Sequence, residues 1–171
     1  MAQADGTLDA LDLDLLTALS EHPRVGVLEL SRLLHVARGT VQARLQRLED
    51  SGIVTGYRPD VDVVAAGYPV HAFVTLQIAQ GRLDEVAAEL ESIPGVLEAY
   101  ATTGPSDVLC RIAARSHEDL QATLLELDRT SSVVRSESVI ALSVVVRPRV
   151  LPLLAARPRT TPGRAPAYRR R

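Results

Sequence analysis

The sequence predicts an α+β protein with a winged helix-turn-helix head, a ferredoxin-like βαββαβ domain and a disordered basic tail. Three observations predict it. Apolar residues recur at helical spacing over 8–52, β-rich and helical runs alternate over 70–146, and an arginine- and proline-rich stretch without acids follows. The expected boundaries are a head over 1–58, a linker over 59–69, a ferredoxin-like domain over 70–147 and a tail over 148–171.

The head is expected to contain three helices. Leucines at spacings of three and four give the first helix one apolar face, and Asp9, Asp12 and Asp14 crowd its early turns, where the helix dipole favours acids. The second helix is expected over 27–34 and the third over 38–51, followed by a short strand or wing at 53–57. Gly52 is expected to cap the third helix. The predicted inward residues of these two helices are Leu30, Leu33, Leu34, Val41, Leu45 and Leu48.

The second half changes from helical spacing to a β-rich pattern. The predicted order is strand, helix, strand, strand, helix, strand, at 70–78, 82–92, 96–102, 108–113, 117–128 and 133–146. The apolar run 139–146 fits a strand buried on both faces. Because two helices cover only one face of a four-stranded sheet, the other face is expected to need a partner. A homodimer is therefore expected.

Charge is distributed unevenly along the 171 residues. The chain has 19 arginines and no lysine, and 147–171 holds eight of the arginines and no acid. This tail carries a formal +8 and the remainder −10. It also holds five of the ten prolines, so no packed element is expected there. Such a tail suits polyanions or an acidic partner, and equally suits a solvated segment that offsets an acidic body.

Composition excludes several classes of function. Five aromatic residues and no tryptophan argue against a base-stacking platform, and the single cysteine, Cys110, excludes an intrachain disulfide or a cysteine-cluster zinc site. No apolar run approaches the roughly 18–20 residues of a membrane span. The acidic N-terminus is unlike a basic signal peptide. A cytoplasmic protein without a membrane partner is expected.

The third helix has the residue types of a DNA-recognition helix. No acid occurs in it before Glu49, and arginine and glutamine suit bidentate contacts with guanine and adenine edges. Double-stranded DNA is the expected partner. The alternative is a three-helix bundle in which this face is simply solvated. The expected outward, DNA-contacting residues are Arg38, Thr40, Gln42, Ala43, Arg44, Gln46 and Arg47.

Longer motifs resemble a known family. The runs LDALDLDLL, ELSRLL and TVQARLQRLEDSGIVTGY, with the β-rich segment after them, are similar to the Lrp/AsnC family of leucine- and asparagine-responsive (feast/famine) regulators over about 7–150. The resemblance implies a sequence-specific transcription regulator associated with the nucleoid. His35 stands where the family usually has Gly, and Ala37 where it usually has a Ser N-cap. If that turn needs a positive φ, His35 can adopt it at a modest energetic cost.

The resemblance also implies an effector site and an assembly. The loop at 102–107 matches the family's Gly-x-x-Asp effector loop, and last-strand residues lie opposite it in the family's dimer–dimer contact. An amino-acid effector, no other cofactor, and homodimers that associate further into octamers are implied. The implied effector residues are Thr102, Thr103, Gly104, Pro105, Ser106, Asp107, Ser136, Glu137 and Ser138.

Two alternatives remain at this point. One is a nucleoid-associated architectural protein without an effector, whose tail makes non-specific DNA contacts. The other is an enzyme like the sirohaem decarboxylases, which resemble the same two-domain fold. No catalytic motif is present, and the four histidines lack metal-ligand spacing with carboxylates, so no enzyme and no metal site are expected.

Overall fold

The structure is a computed structural model that describes residues 8–156. Within this range the chain divides into two compact units. One, called the head, contains the residues up to Pro59 and those from Arg147 onward, and the other comprises Asp60–Val146. The elements are α1 (Ala10–Glu21), α2 (Val27–Leu33), α3 (Arg38–Asp50), β1 (Val70–Ile78), α4 (Leu83–Ser92), β2 (Val96–Ala101), β3 (Val108–Ala114), α5 (His117–Asp128), β4 (Val133–Ala141) and α6 (Leu151–Ala155).

Helix α1 begins with a reciprocal capping box. The Asp12 N–H donates to Oδ1 of Asp9 (3.0 Å), and the Asp9 N–H donates to Oδ2 of Asp12 (2.9 Å). Two amides that helix geometry leaves without partners are thereby satisfied. Asp14, the third acid of this segment, is exposed. The expected acidic helix start is confirmed, and two of its three acids have defined partners.

The turn between α2 and α3 is a Schellman motif with histidine at its left-handed position. The His35 N–H donates to the Arg32 carbonyl (3.3 Å), and the Val36 N–H donates to the Ser31 carbonyl (3.1 Å). This hydrogen-bond pattern requires a positive φ, and His35 has a φ of 53°. The chain therefore makes the turn with a residue for which this conformation is less favourable than for glycine.

Helix α3 ends in the same motif, at the glycine that the sequence predicts. Gly52 has a φ of 69°, and its N–H donates to the Glu49 carbonyl (2.9 Å). The N–H groups of Ile53 and Val54 both donate back to the Leu48 carbonyl, at 2.9 and 3.0 Å. Because these amides bond to the helix end and their side chains pack on the head core, they form no strand. The short strand that was one reading of 53–57 is therefore absent.

The core of the head is apolar and comes from all three helices. The predicted inward positions of α2 and α3 are buried or partly buried, except Leu33, which is 43% exposed. Complete burial of a leucine or valine side chain contributes about 1.5–3 kcal/mol to the free energy of folding. The buried residues of this core cluster are Leu15, Ala18, Leu30, Val41 and Leu48.

The second unit has the predicted ferredoxin-like topology. Its four strands form an antiparallel sheet in the order β2-β3-β1-β4. Helices α4 and α5 pack on one face, where alternate residues of β1 and β3 meet apolar helix residues. The opposite face carries Phe73, Tyr100 and Val139, which are 44%, 55% and 68% exposed. This second face, called the open face, has no cover among the described residues.

Strand β4 is shorter than the sequence predicts. It ends at Ala141, which pairs with His71, one residue from the start of its neighbour β1 at Val70. Leu142 and Val145, predicted to continue a strand buried on both faces, are 98% and 91% exposed. The predicted extension of the last strand to residue 146 is therefore wrong.

The chain forms a packed helix where the sequence predicts none. Helix α6 packs against α1, and Pro152 lies in its first turn, where the missing N–H has no helical acceptor in any case. Leu13 lies on the side of α1 opposite Leu15 and is nevertheless only 8% exposed, so both sides of α1 are covered. The expectation of an unpacked tail is therefore wrong for α6. The remainder of the predicted tail, 157–171, lies outside the described residues.

We expect Ala37→Ser to stabilise the head. Ala37 is the N-cap of α3, has extended backbone angles (φ −62°, ψ 143°) and makes no side-chain cap. A serine hydroxyl there can accept an N–H of the first turn, which contributes about 1 kcal/mol. Hydrogen–deuterium exchange of α3 amides in the full chain should slow by roughly fivefold. Ala43→Ser, at an exposed mid-helix position, is the control and should not slow exchange.

Candidate nucleic-acid interface and effector loop

Helix α3 presents a continuous exposed face with small residues at its centre. Opposite its buried Val41 and Leu48 lie Gly39 and Ala43, whose small size allows close approach of another surface. Six of the seven predicted contact residues are exposed on or beside this face. They are Arg38, Thr40, Gln42, Ala43, Gln46 and Arg47.

The seventh residue, Arg44, does not point outward as predicted. Its side chain is 26% exposed, and Nη1 donates to Asp9 Oδ2 and to Asp12 Oδ1, the latter at 2.9 Å. Arg47 Nη2 donates to Asp12 Oδ2, although this side chain remains 50% exposed. The four side chains form one ion-pair network, called the acid–arginine cluster. Two acids from the start of α1 therefore lie against the basic helix α3.

The Asp12 carboxylate is at the centre of this cluster and is 0% exposed. Burial opposes its ionisation, but hydrogen bonds from Arg47, from the Asp9 N–H and from Arg44 outweigh burial and lower the pKa of Asp12. The pKa of Arg44 is raised, chiefly by its bond to Asp9. The cluster is thus charged at neutral pH and joins the start of α1 to α3.

Sequence reasoning assigned Asp9 and Asp12 only to the helix dipole and missed this second role. The signal available was the spacing, because an acid at the N-cap and another three residues later predict a reciprocal capping box. That box fixes both carboxylates on one side of α1. Which residues they meet depends on how α1 packs against α3, which local patterns do not specify.

The predicted effector loop is held in place by its own backbone. The Thr102 N–H donates to the Asp107 carbonyl (2.8 Å), and the Asp107 N–H donates to the Leu76 carbonyl (2.9 Å). Oδ2 of Asp107 accepts the Ile78 N–H (2.9 Å), and Gly104 has a φ of 115°, which favours glycine. The second carboxylate oxygen of Asp107 has no partner among residues 8–156.

Three loop amides are also open. The N–H groups of Thr103, Gly104 and Ser106 donate to no group in the described part of the chain. Consecutive free amides and a carboxylate oxygen on an exposed loop can hold a carboxylate and an ammonium group, respectively. The loop therefore has the chemistry that the α-carbon substituents of an amino acid require.

The predicted last-strand residues lie on two different faces of the sheet. Ser136 and Ser138 pair with Leu76 and Val74 and share the helix-covered face, whereas Glu137 lies on the open face. Ser136 Oγ donates to Asp128 Oδ1 (2.7 Å). Glu137 is ion-paired with Arg135 (2.7 Å), and both side chains are 64% exposed.

The loop and these residues are separated within one protomer. Leu76 of β1 pairs with Val108 on one side and with Ser136 on the other. Two strand spacings, about 10 Å, therefore separate the strand that follows the loop from β4. The structure brings both sets to the same end of the sheet but not into contact.

Other candidates have structural roles. Cys110 is 0% exposed, and burial raises its pKa to about 11, so this side chain packs as a small hydrophobe. Between residues 8 and 156, no group of three or more His, Cys, Asp or Glu side chains is arranged to hold a metal ion. No helix in that range is long and apolar enough to cross a membrane.

The chain combines a helix-turn-helix head with a ferredoxin-like domain whose loop at 102–107 has backbone amides that are free of any described partner. This combination is typical of DNA-binding proteins with an attached ligand-binding domain. Comparison with family models gives the same division. A winged helix-turn-helix DNA-binding model matches residues 8–55, and the Lrp/AsnC ligand binding domain model matches residues 71–151. The chain belongs to the Lrp/AsnC family of transcriptional regulators.

Individual relatives agree with this assignment. The chain is 33% identical over 137 residues to the regulatory protein AsnC of Escherichia coli K12, covering 79% of this chain and 90% of AsnC. It is 29% identical over 148 residues to the HTH-type transcriptional regulator FL11 of Pyrococcus furiosus, covering 86% and 98%. Since the family and these relatives are transcriptional regulators, the enzymatic alternative is not supported.

Solved structures share the fold. The structure of E. coli AsnC superposes with a TM-score of 0.79 at 29% identity, covering 85% of this chain and 99% of that one. The transcriptional regulator NMB0573 of Neisseria meningitidis, solved as a complex with L-Met, gives a TM-score of 0.75 at 26% identity, covering 82% and 94%. The predicted helix-turn-helix head and ferredoxin-like domain are confirmed, although residues 53–57 form no strand and α6 forms where no packed element was expected.

The acid–arginine cluster makes head stability depend on pH. Because the folded pKa of Asp12 is lowered, its contribution is complete above the unfolded value of about 3.9 and is lost as pH falls through the folded value. We expect Asp12→Asn to destabilise the head by roughly 3 kcal/mol at pH 7, and by much less near pH 2. Hydrogen–deuterium exchange of α1 and α3 peptides over a urea series measures this difference.

The exposed Asp14 provides the control for that experiment. Asp14→Asn removes the same charge from the same helix but has no partner among the described residues. It should change stability by less than about 0.5 kcal/mol at either pH. A deficit of Asp12→Asn that stays constant from pH 7 to pH 2 would contradict an ionised Asp12.

Proposed function

We propose that the protein is a sequence-specific transcription regulator that places α3 in the major groove and responds to an amino-acid effector. The observation that carries the proposal is the exposed face of α3, where arginine and glutamine side chains flank the small residues Gly39 and Ala43. A helix with small central residues and flanking donors can lie deep in the groove and contact base edges. Its place of action would be the cytoplasmic nucleoid.

The residues on the exposed face of α3 differ in the DNA groups that they can contact. Gln42 and Gln46 suit adenine edges, Ala43 suits a thymine methyl group, and Arg38 and Thr40, at the start of α3, suit phosphates or guanine. The Gln46 amide donates to Asp50 Oδ1 (2.8 Å), an exposed bond that a base can replace. Arg47, held by a single nitrogen and half exposed, keeps donors free for a phosphate.

The open face supports homodimerisation. Phe73 pairs across the sheet with Val139, and both remain exposed. Beside them Arg111 forms an ion pair with Glu98 (2.6 Å), which also accepts the Tyr100 hydroxyl (2.8 Å). An apolar surface around a charge pair suits an interface between two copies, in which the second copy could also supply an acceptor for Arg111 Nε, a buried donor without a partner among the described residues. Such a dimer would present two heads to a near-palindromic site.

The effector site is proposed to form between dimers. The loop at 102–107 offers open amides and the free oxygen of Asp107, while Ser136, Glu137 and Ser138 lie about 10 Å away in the same protomer. An amino acid is too small to bridge both sets through its carboxylate and ammonium groups. A site that uses both sets therefore needs β4 from another protomer, which couples effector binding to assembly, octamers included.

DNA recognition is tested by fluorescence anisotropy with the upstream DNA of the protein's own coding region and a shuffled duplex. The wild type should prefer the upstream duplex, and an amino-acid pool should shift that preference. Gln46→Ala should weaken upstream binding by about 1–3 kcal/mol, roughly 5- to 150-fold, and shuffled binding little. Gln121→Ala, exposed on α5, is the control and should match wild type. Equal wild-type affinity for both duplexes would instead support the architectural alternative.

Dimerisation is tested by light scattering after size exclusion. Phe73→Asp places a charge in the middle of the open face and should convert dimers to monomers, since an unpaired buried charge costs several kcal/mol. Leu125→Asp changes a comparably exposed leucine (51%) on α5 and should leave the dimer intact. Dimers that survive Phe73→Asp unchanged would show that another surface forms the contact.

A further inference from the structure

Asp9 makes one contact more than helix capping requires. Its Oδ1 accepts the Asp12 N–H, which completes the N-cap of α1. An asparagine oxygen would cap the helix equally well. Only the negative charge explains the second contact, in which Oδ2 accepts Arg44 Nη1. The carboxylate thus has a role directed at α3.

Arg44 lies beside the exposed face of α3, the face that the proposed function places on DNA. It lines a shallow notch on the head surface with Asp9 and Arg47, and the notch also includes Gly39, Thr40 and Ala43 of the exposed face of α3. In the observed arrangement two carboxylates neutralise the Arg44 guanidinium. An arginine in this position with its charge released would meet a phosphate beside the groove.

We propose that Asp9 is a specificity-determining positioning residue that withholds Arg44 from DNA phosphates. This inference rests on the proposed DNA-binding function and deepens it. Phosphate contacts raise affinity for every sequence alike, whereas base contacts discriminate between sequences. By holding Arg44, Asp9 lowers non-specific affinity while Arg38, Gln42 and Gln46 remain available to bases.

The test replaces Asp9 without removing the cap. Asp9→Asn keeps an acceptor for the Asp12 N–H, removes the charge and turns an amide toward Arg44. Asp14→Asn, on the exposed side of the same helix, removes one charge at a position without a partner in the described chain. Full-length wild type and both variants are titrated onto the shuffled duplex and the upstream duplex at several salt concentrations.

Asp9→Asn should bind the shuffled duplex more tightly than Asp14→Asn and with a steeper salt dependence. One added phosphate contact steepens the log–log slope by about 0.9, so the advantage should shrink about 3.5-fold between 50 and 200 mM salt. The preference for the upstream duplex should fall. Adding Arg44→Gln to Asp9→Asn should return the slope to that of Asp14→Asn. Circular dichroism should show unchanged helix content for Asp9→Asn.

The outcomes separate the two proposals. Equal slopes for Asp9→Asn and Asp14→Asn would overturn the role of Asp9, even where the wild type prefers its upstream duplex. An increased slope that persists in the Arg44→Gln combination would also overturn it, because another group would then be responsible. A wild type without upstream preference would refute the proposed function, while the slopes on shuffled DNA would still decide the role of Asp9.

Discussion

The buried carboxylate of Asp12 is the constraint on which the head depends. A charge with 0% exposure is tolerated only with full compensation, and here two arginines of α3 and one amide of α1 provide it. The position of α3 against α1 is therefore fixed by ion pairs as well as by the apolar core. The same contacts determine which arginines remain available at the surface, so stability and the proposed DNA recognition depend on one set of side chains.

Local patterns were sufficient for most of the fold. The helical and β periods placed α5 and β1 at their observed bounds, and Gly52 was correctly predicted as a helix cap because one backbone conformation favours glycine there. The failures concern contacts distant in sequence. β4 ends where its neighbour β1 begins, and α6 forms because it packs against α1. Neither contact can be predicted from a short stretch of the sequence.

The candidate sites show the same division. Residue types made α3 a candidate and the family resemblance made the loop at 102–107 one, but Arg44 was assigned to the wrong surface because its partners lie more than 30 residues earlier. Likewise, alternation along β4 places Glu137 and Ser136 on opposite faces, yet only the sheet register shows that β1 separates them from the loop. An amino-acid site built from both sets therefore requires assembly, and in such a design ligand and oligomer are thermodynamically linked.

If two heads contact DNA through α3, they should protect a defined pattern of nucleotides. Hydroxyl-radical footprinting of the upstream region measures this pattern most directly. Two protected patches whose centres lie one helical turn apart, about 34–36 Å, or a whole multiple of it, are predicted for a dimer with paired recognition helices. Uniform protection along the fragment, without discrete half-sites, would contradict recognition by α3 and indicate sequence-independent coating.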